Sequence, residues 1–381
     1  MTTAQIGVVP SFIAGQWQTP AAEGGTEVLD ANTGELLATV TKERLDVAGA
    51  VAYGRTTGQR ELTKLSLHER ALKLKELALY LNEHRKDLYE ISYKTGATKI
   101  DSMVDIDGGI GVLFTFSGKG RRELPNSNVI LDGPTEPLSK DGSFLGTHIY
   151  TALTGVVVQV NAFNFPVWGM LEKFAPAFIA GVPTIVKPAT PTGYLTEAVV
   201  RLMLDSGLLP DGSLQLLSGS ARDLMDHLDY RDMFAFTGSA ATASKLKAHP
   251  NVIDGGVRFS AETDSLNAAI LGPDAVEGTP EFDAFIKVVV NEMTTKAGQK
   301  CTAIRRNIVP AGQVDAVIAA IGKRIDERVV VGDPRVEGVT MGALASLDQL
   351  RDVRAAVEDM LAAGGELAYG ALDAPKVRVA P

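Results

Sequence analysis

Residues 153–239 constrain the fold most, because short apolar runs alternate there with longer amphipathic ones. GVVVQV reads as a strand and VWGMLEKFAPAFIAG as a helix, kinked or split at Pro176. PTIVKP, SLQLLSG and MFAFTGS supply further strands, with TEAVVRLMLDSG and SARDLMDHL as helices between them. This alternation is the signature of βα units on a parallel sheet, an α/β fold class. Ligands of such sheets bind beyond the carboxyl ends of the strands. Three loops fall at that edge: NAFNFP, KPATPT and FTGSAA.

Before this block the chain reads as short strands and turns, such as SFIAGQW and VLDANTGELLATV. SLHERALKLKELALYLNEHRKDLYEISYKTG is a long amphipathic helix or helix pair, with Ser66 and Glu69 at capping-box spacing and Gly96 placed to end it. After the block comes a second αβ region. EFDAFIKVVVNEMTTKAG, QVDAVIAAIGKRIDE and SLDQLRDVRAAVEDMLAAGG read as helices, RNIVP as a strand, and a further strand is expected at KVRVAP. A chain of 381 residues implies two or three domains.

The balance of 37 Lys and Arg against 46 Asp and Glu disfavours a nucleic-acid partner. One cysteine cannot form an internal disulfide or a multi-cysteine zinc site, and the five histidines include no HExxH. No secretory signal and no membrane-length apolar run is present, so the expectation is a soluble cytoplasmic protein without a membrane partner or a metal.

That cysteine, Cys301, sits in TTKAGQKCTAIRR among Lys296, Lys300, Arg305 and Arg306. It reads either as a small buried hydrophobe or as a nucleophile whose thiolate the cations favour. Glu262, in VRFSAETDSLNAAILG, is a candidate general base or a solvent-facing acid at a strand edge. Asn164, in NAFNFPVWG, is a neutral donor suited to an oxyanion, or a turn or cap residue before Pro166. Lys187 ends an apolar strand at the ligand edge, and Gly238 and Ser239 form a strand-to-helix turn suited to phosphate.

Together these segments resemble the aldehyde dehydrogenase superfamily, since AFNFP, IVKPAT, FTGS, the glutamate of SAETDSLN and GQKCT stand in that family's order over essentially the whole chain. The resemblance implies an aldehyde dehydrogenase fold: a Rossmann-like cofactor domain in residues 1–135 and 151–264, an oligomerisation hairpin in 136–150 and a partial catalytic domain in 265–381. It implies Cys301 as nucleophile, Glu262 as the base for deacylation and Asn164 as oxyanion donor. Phe163, Lys187, Thr190, Gly238 and Ser239 would contact the dinucleotide. Within the family, VDIDGGIG, TGAT and GRRELP are similar to the dehydrogenase part of the bifunctional phenylacetate-degradation enzymes. The implied substrate is a semialdehyde linked to coenzyme A, 3-oxo-5,6-dehydrosuberyl-CoA semialdehyde. Lys119, Arg121 and Arg122 of GKGRRELP read either as an ordinary solvated turn or as cations for the carrier. The alternatives are the 3,4-dehydroadipyl-CoA semialdehyde of benzoyl-CoA degradation, and a non-catalytic binding or assembly subunit. A homodimer or higher homo-oligomer is implied as well.

Three departures bear on these expectations. Thr190 stands where many NAD-dependent members have a glutamate, which removes repulsion of a 2′-phosphate and leads to an expected preference for NADP over NAD. Ala243 replaces a common second glycine of the phosphate loop. The Glu-x-Phe-Gly-Pro segment, the C-terminal oligomerisation strand and the hydratase domain are missing, so the chain is expected to be part of something longer, and whether that longer protein carries a C-terminal hydratase domain is left open.

Overall fold

A computed structural model describes residues 7–372 and 378–380. The chain divides into two compact units, Met1–Glu27 with Ala38–Leu88 and Val104–Thr263, and Val28–Leu37 with Tyr89–Met103 and Asp264–Pro381.

The first unit is organised by a seven-stranded sheet. Its order is Arg258–Thr263, Met233–Gly238, Val157–Val160, Thr184–Lys187, Leu214–Leu216, Ser11–Ile13 and Gln16–Gln18. The first five strands are mutually parallel, and the last two form a hairpin whose first strand, Ser11–Ile13, pairs antiparallel with Leu214–Leu216. The central strands are covered on both faces, which is why Val157–Gln159, Thr184–Val186 and Leu214–Leu216 are buried without alternation. The hairpin turns at Ala14 and Gly15 with φ of 51° and 79°, the paired positive angles of a turn that matches strand twist. The core beneath the sheet joins Val156, Val158, Ile185, Phe234 and Phe236 to Leu224, Met225 and Leu228.

Two local expectations are settled. Of the kinked or split helix expected at Pro176, the split is excluded: the helix Pro166–Ala180 starts with proline in its first turn and continues past Pro176. Pro176 removes one backbone donor, at a cost of about 3 kcal/mol with its ring clash. Buried Phe174, Ala175, Ala177 and Phe178 surround it, and their packing holds the helix together. SARDLMDHL forms only the 3₁₀ turn Leu224–His227. It is too short to repay helix nucleation, and a single turn already buries Leu224, Met225 and Leu228.

The long helix is continuous from Leu67 to Ser92. Its expected box is formed, with the Ser66 N–H donating to Glu69 Oε2 at 2.7 Å and the Glu69 N–H donating to Ser66 Oγ at 3.2 Å. Gly96 ends the following 3₁₀ turn at φ 80°. Residues 130–150 form an antiparallel arm that pairs Ile130–Leu131 with Ile149–Tyr150 and Glu136–Pro137 with Leu145–Gly146. The arm exposes Leu131, Leu138, Phe144, Leu145 and Ile149.

In the second unit the strands Asn267–Ile270 and Ile304–Ile308 pair in parallel. Helices Pro280–Thr294 and Val314–Arg328 pack through Phe282, Ile286 and Val317. Thr279 and Ser346 cap helices with their side chains, as β-region Ser and Thr do before a helix. The strand expected at KVRVAP is seen as Arg378–Val379, paired with Val330–Val331, while Lys376, Val377 and Pro381 lie outside the described residues.

Candidate active site

The sheet brings three of the sequence-predicted segments to its carboxyl edge. Lys187 is the last residue of its strand, and the Asn161 N–H donates to the Lys187 carbonyl at 3.1 Å. Thr192 Oγ1 donates to the Phe163 carbonyl at 2.9 Å, so NAFNFP and KPATPT are tied together. Lys187, Pro188, Ala189, Thr190, Gly193 and Ser218 border a narrow cleft there. The Lys187 ammonium donates to the Pro188 carbonyl at 2.8 Å, and its burial pulls the amine down to about 8. Thr190 begins the 3₁₀ turn Thr190–Thr192.

Gly238 ends the neighbouring strand, where a Cβ would lie 2.6 Å from the Phe236 ring, so glycine leaves that ring its place. Ser239 caps the helix Ala240–Lys247: its Oγ accepts from the Thr242 N–H at 3.2 Å and donates to Thr242 Oγ1 at 2.9 Å. Its hydroxyl is therefore engaged, and what the turn offers an anion is backbone N–H. Ala243 turns its methyl into the core, which accounts for the departure from glycine.

Asn164 is half-buried, and its amide has no hydrogen-bond partner among the described residues. It is not the helix cap, because Phe165 holds that position without a side-chain bond. The cap comes from elsewhere in the chain: buried Asp105 Oδ1 accepts from the N–H of Val167 at 3.1 Å and of Trp168 at 2.8 Å. A carboxylate at a helix N-terminus is doubly favoured, by hydrogen bonding and by the helix dipole. Asp105 lies in the π-helical segment Met103–Asp107 and was not singled out among the candidate residues.

Glu262 is exposed, on the edge strand of the sheet and opposite Thr237 in register. It thus stands one residue off the Gly238 turn, on the adjacent strand, and faces solvent.

Cys301 belongs to the second unit and is exposed, so it is not a buried core thiol. The four cations around it in sequence have partners of their own. Lys300 pairs with Glu292 at 2.8 Å, and Arg305 Nη2 donates to the Lys300 carbonyl at 3.1 Å. Arg306 Nε donates to the Leu266 carbonyl at 3.0 Å, and Lys296 is buried. The segment before the cysteine carries unusual backbone, with φ of 52° at Lys296, 53° at Ala297 and 75° at Gly298. Left-handed angles cost a side-chain-bearing residue about 1–2 kcal/mol each. The Lys296 N–H donates to Asp101 Oδ1 at 2.8 Å, and Lys296 Nζ donates to Thr95 Oγ1 at 2.7 Å. Gln299 Nε2 donates to the Lys296 carbonyl at 2.9 Å, while its Oε1 accepts from the Ala345 N–H at 3.0 Å. Asn267 Nδ2 clamps the far side, donating to the carbonyls of Cys301 at 2.7 Å and Ala303 at 3.1 Å. Thr95, Asp101 and Asn267 were not recognised from sequence. The only signal available was the Thr98-x-x-Asp101 capping box, in which Asp101 Oδ2 accepts from the Thr98 N–H at 2.9 Å.

Comparison with known proteins adds a second line of observation. The model of the aldehyde dehydrogenase family matches residues 17–379. The chain is 44% identical over 340 residues to 3,4-dehydroadipyl-CoA semialdehyde dehydrogenase of Aromatoleum evansii, covering 89% of this chain and 65% of that protein. It is 26% identical over 317 residues to sulfoacetaldehyde dehydrogenase of Neptuniibacter caesariensis, covering 82% of this chain and 66% of that protein. It therefore spans about two thirds of the length of these relatives. Among solved structures, a point mutant of Staphylococcus aureus betaine aldehyde dehydrogenase in complex with NAD+ superposes with a TM-score of 0.83 at 22% identity, covering 95% of this chain and 70% of that one. A lactaldehyde dehydrogenase gives 0.80 at 21%, covering 96% and 73%.

The expected preference for NADP is overturned. Solved structures sharing this fold hold NAD+. Thr190 removes a repulsion but adds no group that would favour a 2′-phosphate, so its presence does not select NADP. The likeness to phenylacetate-degradation enzymes is not singled out by these relatives either. The sheet-based first unit and the second α/β unit make up the aldehyde dehydrogenase fold, and the chain belongs to the aldehyde dehydrogenase family.

Proposed function

We propose that this chain carries out the oxidation of a coenzyme A-linked semialdehyde to its carboxylate with NAD+ as oxidant. The observation that carries this reading is the 44% identity across 89% of the chain to a 3,4-dehydroadipyl-CoA semialdehyde dehydrogenase. That semialdehyde, or one close to it in chain length, is the proposed substrate. It takes precedence over the 3-oxo-5,6-dehydrosuberyl-CoA semialdehyde suggested by TGAT and GRRELP.

The residues at the sheet edge fit a dinucleotide. Lys187 and Thr190 border its proposed place with no carboxylate beside them, Phe163 is tied to the same edge through Thr192, and Gly238 and Ser239 lie at a helix start with backbone N–H to offer. When bound, the nicotinamide supplies the hydride acceptor. The chain's own part begins with the Cys301 sulfur, as thiolate, bonding to the aldehyde carbon while the carbonyl π-electrons move to oxygen. The Asn164 amide and the Cys301 N–H donate to that oxygen. Loss of hydride restores the carbonyl as a thioester on Cys301. Glu262 then takes a proton from water as the water oxygen bonds to the thioester carbon, and the thiolate leaves with the C–S electron pair. Aldehyde, NAD+ and water give carboxylate, NADH and two protons. The exposed apolar arm of residues 130–150 is the proposed homo-oligomer contact.

The test is to incubate the Glu262→Gln variant with the coenzyme A semialdehyde and NAD+, then locate the acyl group by mass spectrometry. The expected result is one acyl adduct on Cys301 and a preference for the coenzyme A substrate over a free semialdehyde of similar length. No adduct in a variant that still binds NAD+ refutes the nucleophile. Equal efficiencies for the two substrates refute the coenzyme A reading.

A further inference from the structure

We propose that Asp101, Lys296 and Thr95 are positioning residues that set the place of Cys301. The inference rests on the reading of Cys301 as nucleophile, which it deepens. Three consecutive residues, Lys296 to Gly298, take left-handed angles directly after a helix that ends at Thr294. Only Gly298 adopts such an angle without a steric cost, so the other two hold it because their surroundings impose it. The imposed contacts are in view. Asp101 Oδ1 takes the Lys296 N–H at 2.8 Å, and the lysine side chain, 3% exposed, runs inward to the Thr95 hydroxyl at 2.7 Å.

Asp101 is itself 4% exposed and fixed by the Thr98 N–H and by the Thr98 hydroxyl at 2.7 Å, so it is a rigid anchor. The turn's exit is clamped by Asn267 on the Cys301 and Ala303 carbonyls. Between the two clamps lie Ala297 to Lys300, and Gln299 ties this short span back to the Lys296 carbonyl while Lys300 pairs with Glu292. The part assigned to the lysine is to hold the backbone. It converts a turn that the chain would not adopt unaided into one fixed path to Cys301, and two separate clamps determine where the thiol sits. A buried lysine is a costly way to fill space, and its retention here fits a part in fixing this turn.

The single cysteine permits a direct readout, because a trifluoroethylthiol label on the 381-residue chain reports on position 301 alone. The labelled wild type is expected to give one narrow fluorine resonance. Lys296→Met, Asp101→Ala and the near-isosteric Thr95→Val are each expected to split or broaden it, with far-ultraviolet circular dichroism unchanged. In unlabelled protein the same variants should slow the burst of NADH by about tenfold or more while leaving the NAD+ dissociation constant in place. Thr95→Val removes one hydroxyl only and keeps the test open should the other two fail to fold. A single, unshifted resonance and an unchanged burst in folded variants would overturn the proposal. A Cys301→Ala variant that retains turnover would instead remove the nucleophile reading, while the fluorine spectra still judge the clamp.

Discussion

Replacing Asp105 by alanine tests how the Asn164 loop is held. One carboxylate oxygen accepts from two backbone N–H groups, at 3.1 and 2.8 Å, at the start of the helix Pro166–Ala180. A hydrogen bond to a charged group contributes about 1.5–3 kcal/mol, and a carboxylate near a helix N-terminus a further 0.3–1 kcal/mol or so. The two bonds share an oxygen, and removing the carboxylate also relieves its own desolvation, so the sum is well short of additive. The expected cost is about 3 kcal/mol for Asp105→Ala. Asp105→Asn keeps the shared acceptor and loses the charge, for about 1 kcal/mol.

Both tryptophans, Trp17 and Trp168, lie in the first unit, and the Trp168 N–H makes the shorter bond, so fluorescence during urea unfolding reads the relevant region. With a slope near 3 kcal/mol/M, roughly that of a large domain, alanine should lower the midpoint by about 1 M and asparagine by about a third of that. Turnover should fall as well, because the loop carrying Asn164 loses its anchor. Equal midpoints for the two variants, or an alanine midpoint within about 0.3 M of wild type, would refute the reasoning.

Three further outcomes are expected. Gly96→Ala should destabilise by about 3 kcal/mol or more in chemical denaturation, since φ is +80° and the new Cβ would lie 2.2 Å from the Ala343 carbonyl. For Lys187 the folded pKa is lowered to about 8 from 10.5. Between these values the unfolded chain binds more protons, so stability should rise with pH across that window, whereas any contact that needs the ammonium should weaken as pH passes about 8. Urea midpoints and NAD+ titrations across that range should show both trends, and Lys187→Met should abolish both. Glu262→Gln should give a burst of NADH followed by slow steady turnover, read by rapid mixing, and equal loss of both phases would assign Glu262 to acylation or structure instead.

The architecture was legible where period and punctuation agree. Buried valines and leucines between glycine-bearing turns marked the parallel strands, and Ser66 with Glu69 marked the start of the long helix. Local signals were ambiguous where tertiary packing decides, as between a kink and a split at Pro176, and misled where a motif was too short to nucleate, as at Leu224–His227. The candidate residues were visible through their motifs, whereas their supports were not. Asp101 reaches Lys296 across 195 positions and Asp105 reaches Trp168 across 63, so no window of sequence contains both ends. The partners of the cations in the cysteine segment were hidden for a related reason: Glu292, Leu266 and Thr95 meet Lys300, Arg306 and Lys296, and only the fold reveals it.

The solitary, exposed thiol of Cys301 has a consequence for survival under oxidative stress. Peroxide converts an accessible thiolate to a sulfenic acid, and a neighbouring cysteine can rescue that species by condensing with it before further oxidation makes the damage permanent. These 381 residues contain no such resolving partner. Within this stretch of chain, what can meet the sulfenic acid is a small thiol that enters as freely as the oxidant did. The lifetime of the protein in peroxide should accordingly follow the concentration of reducing thiol around it, and a bound acyl group, by occupying the sulfur, should protect it.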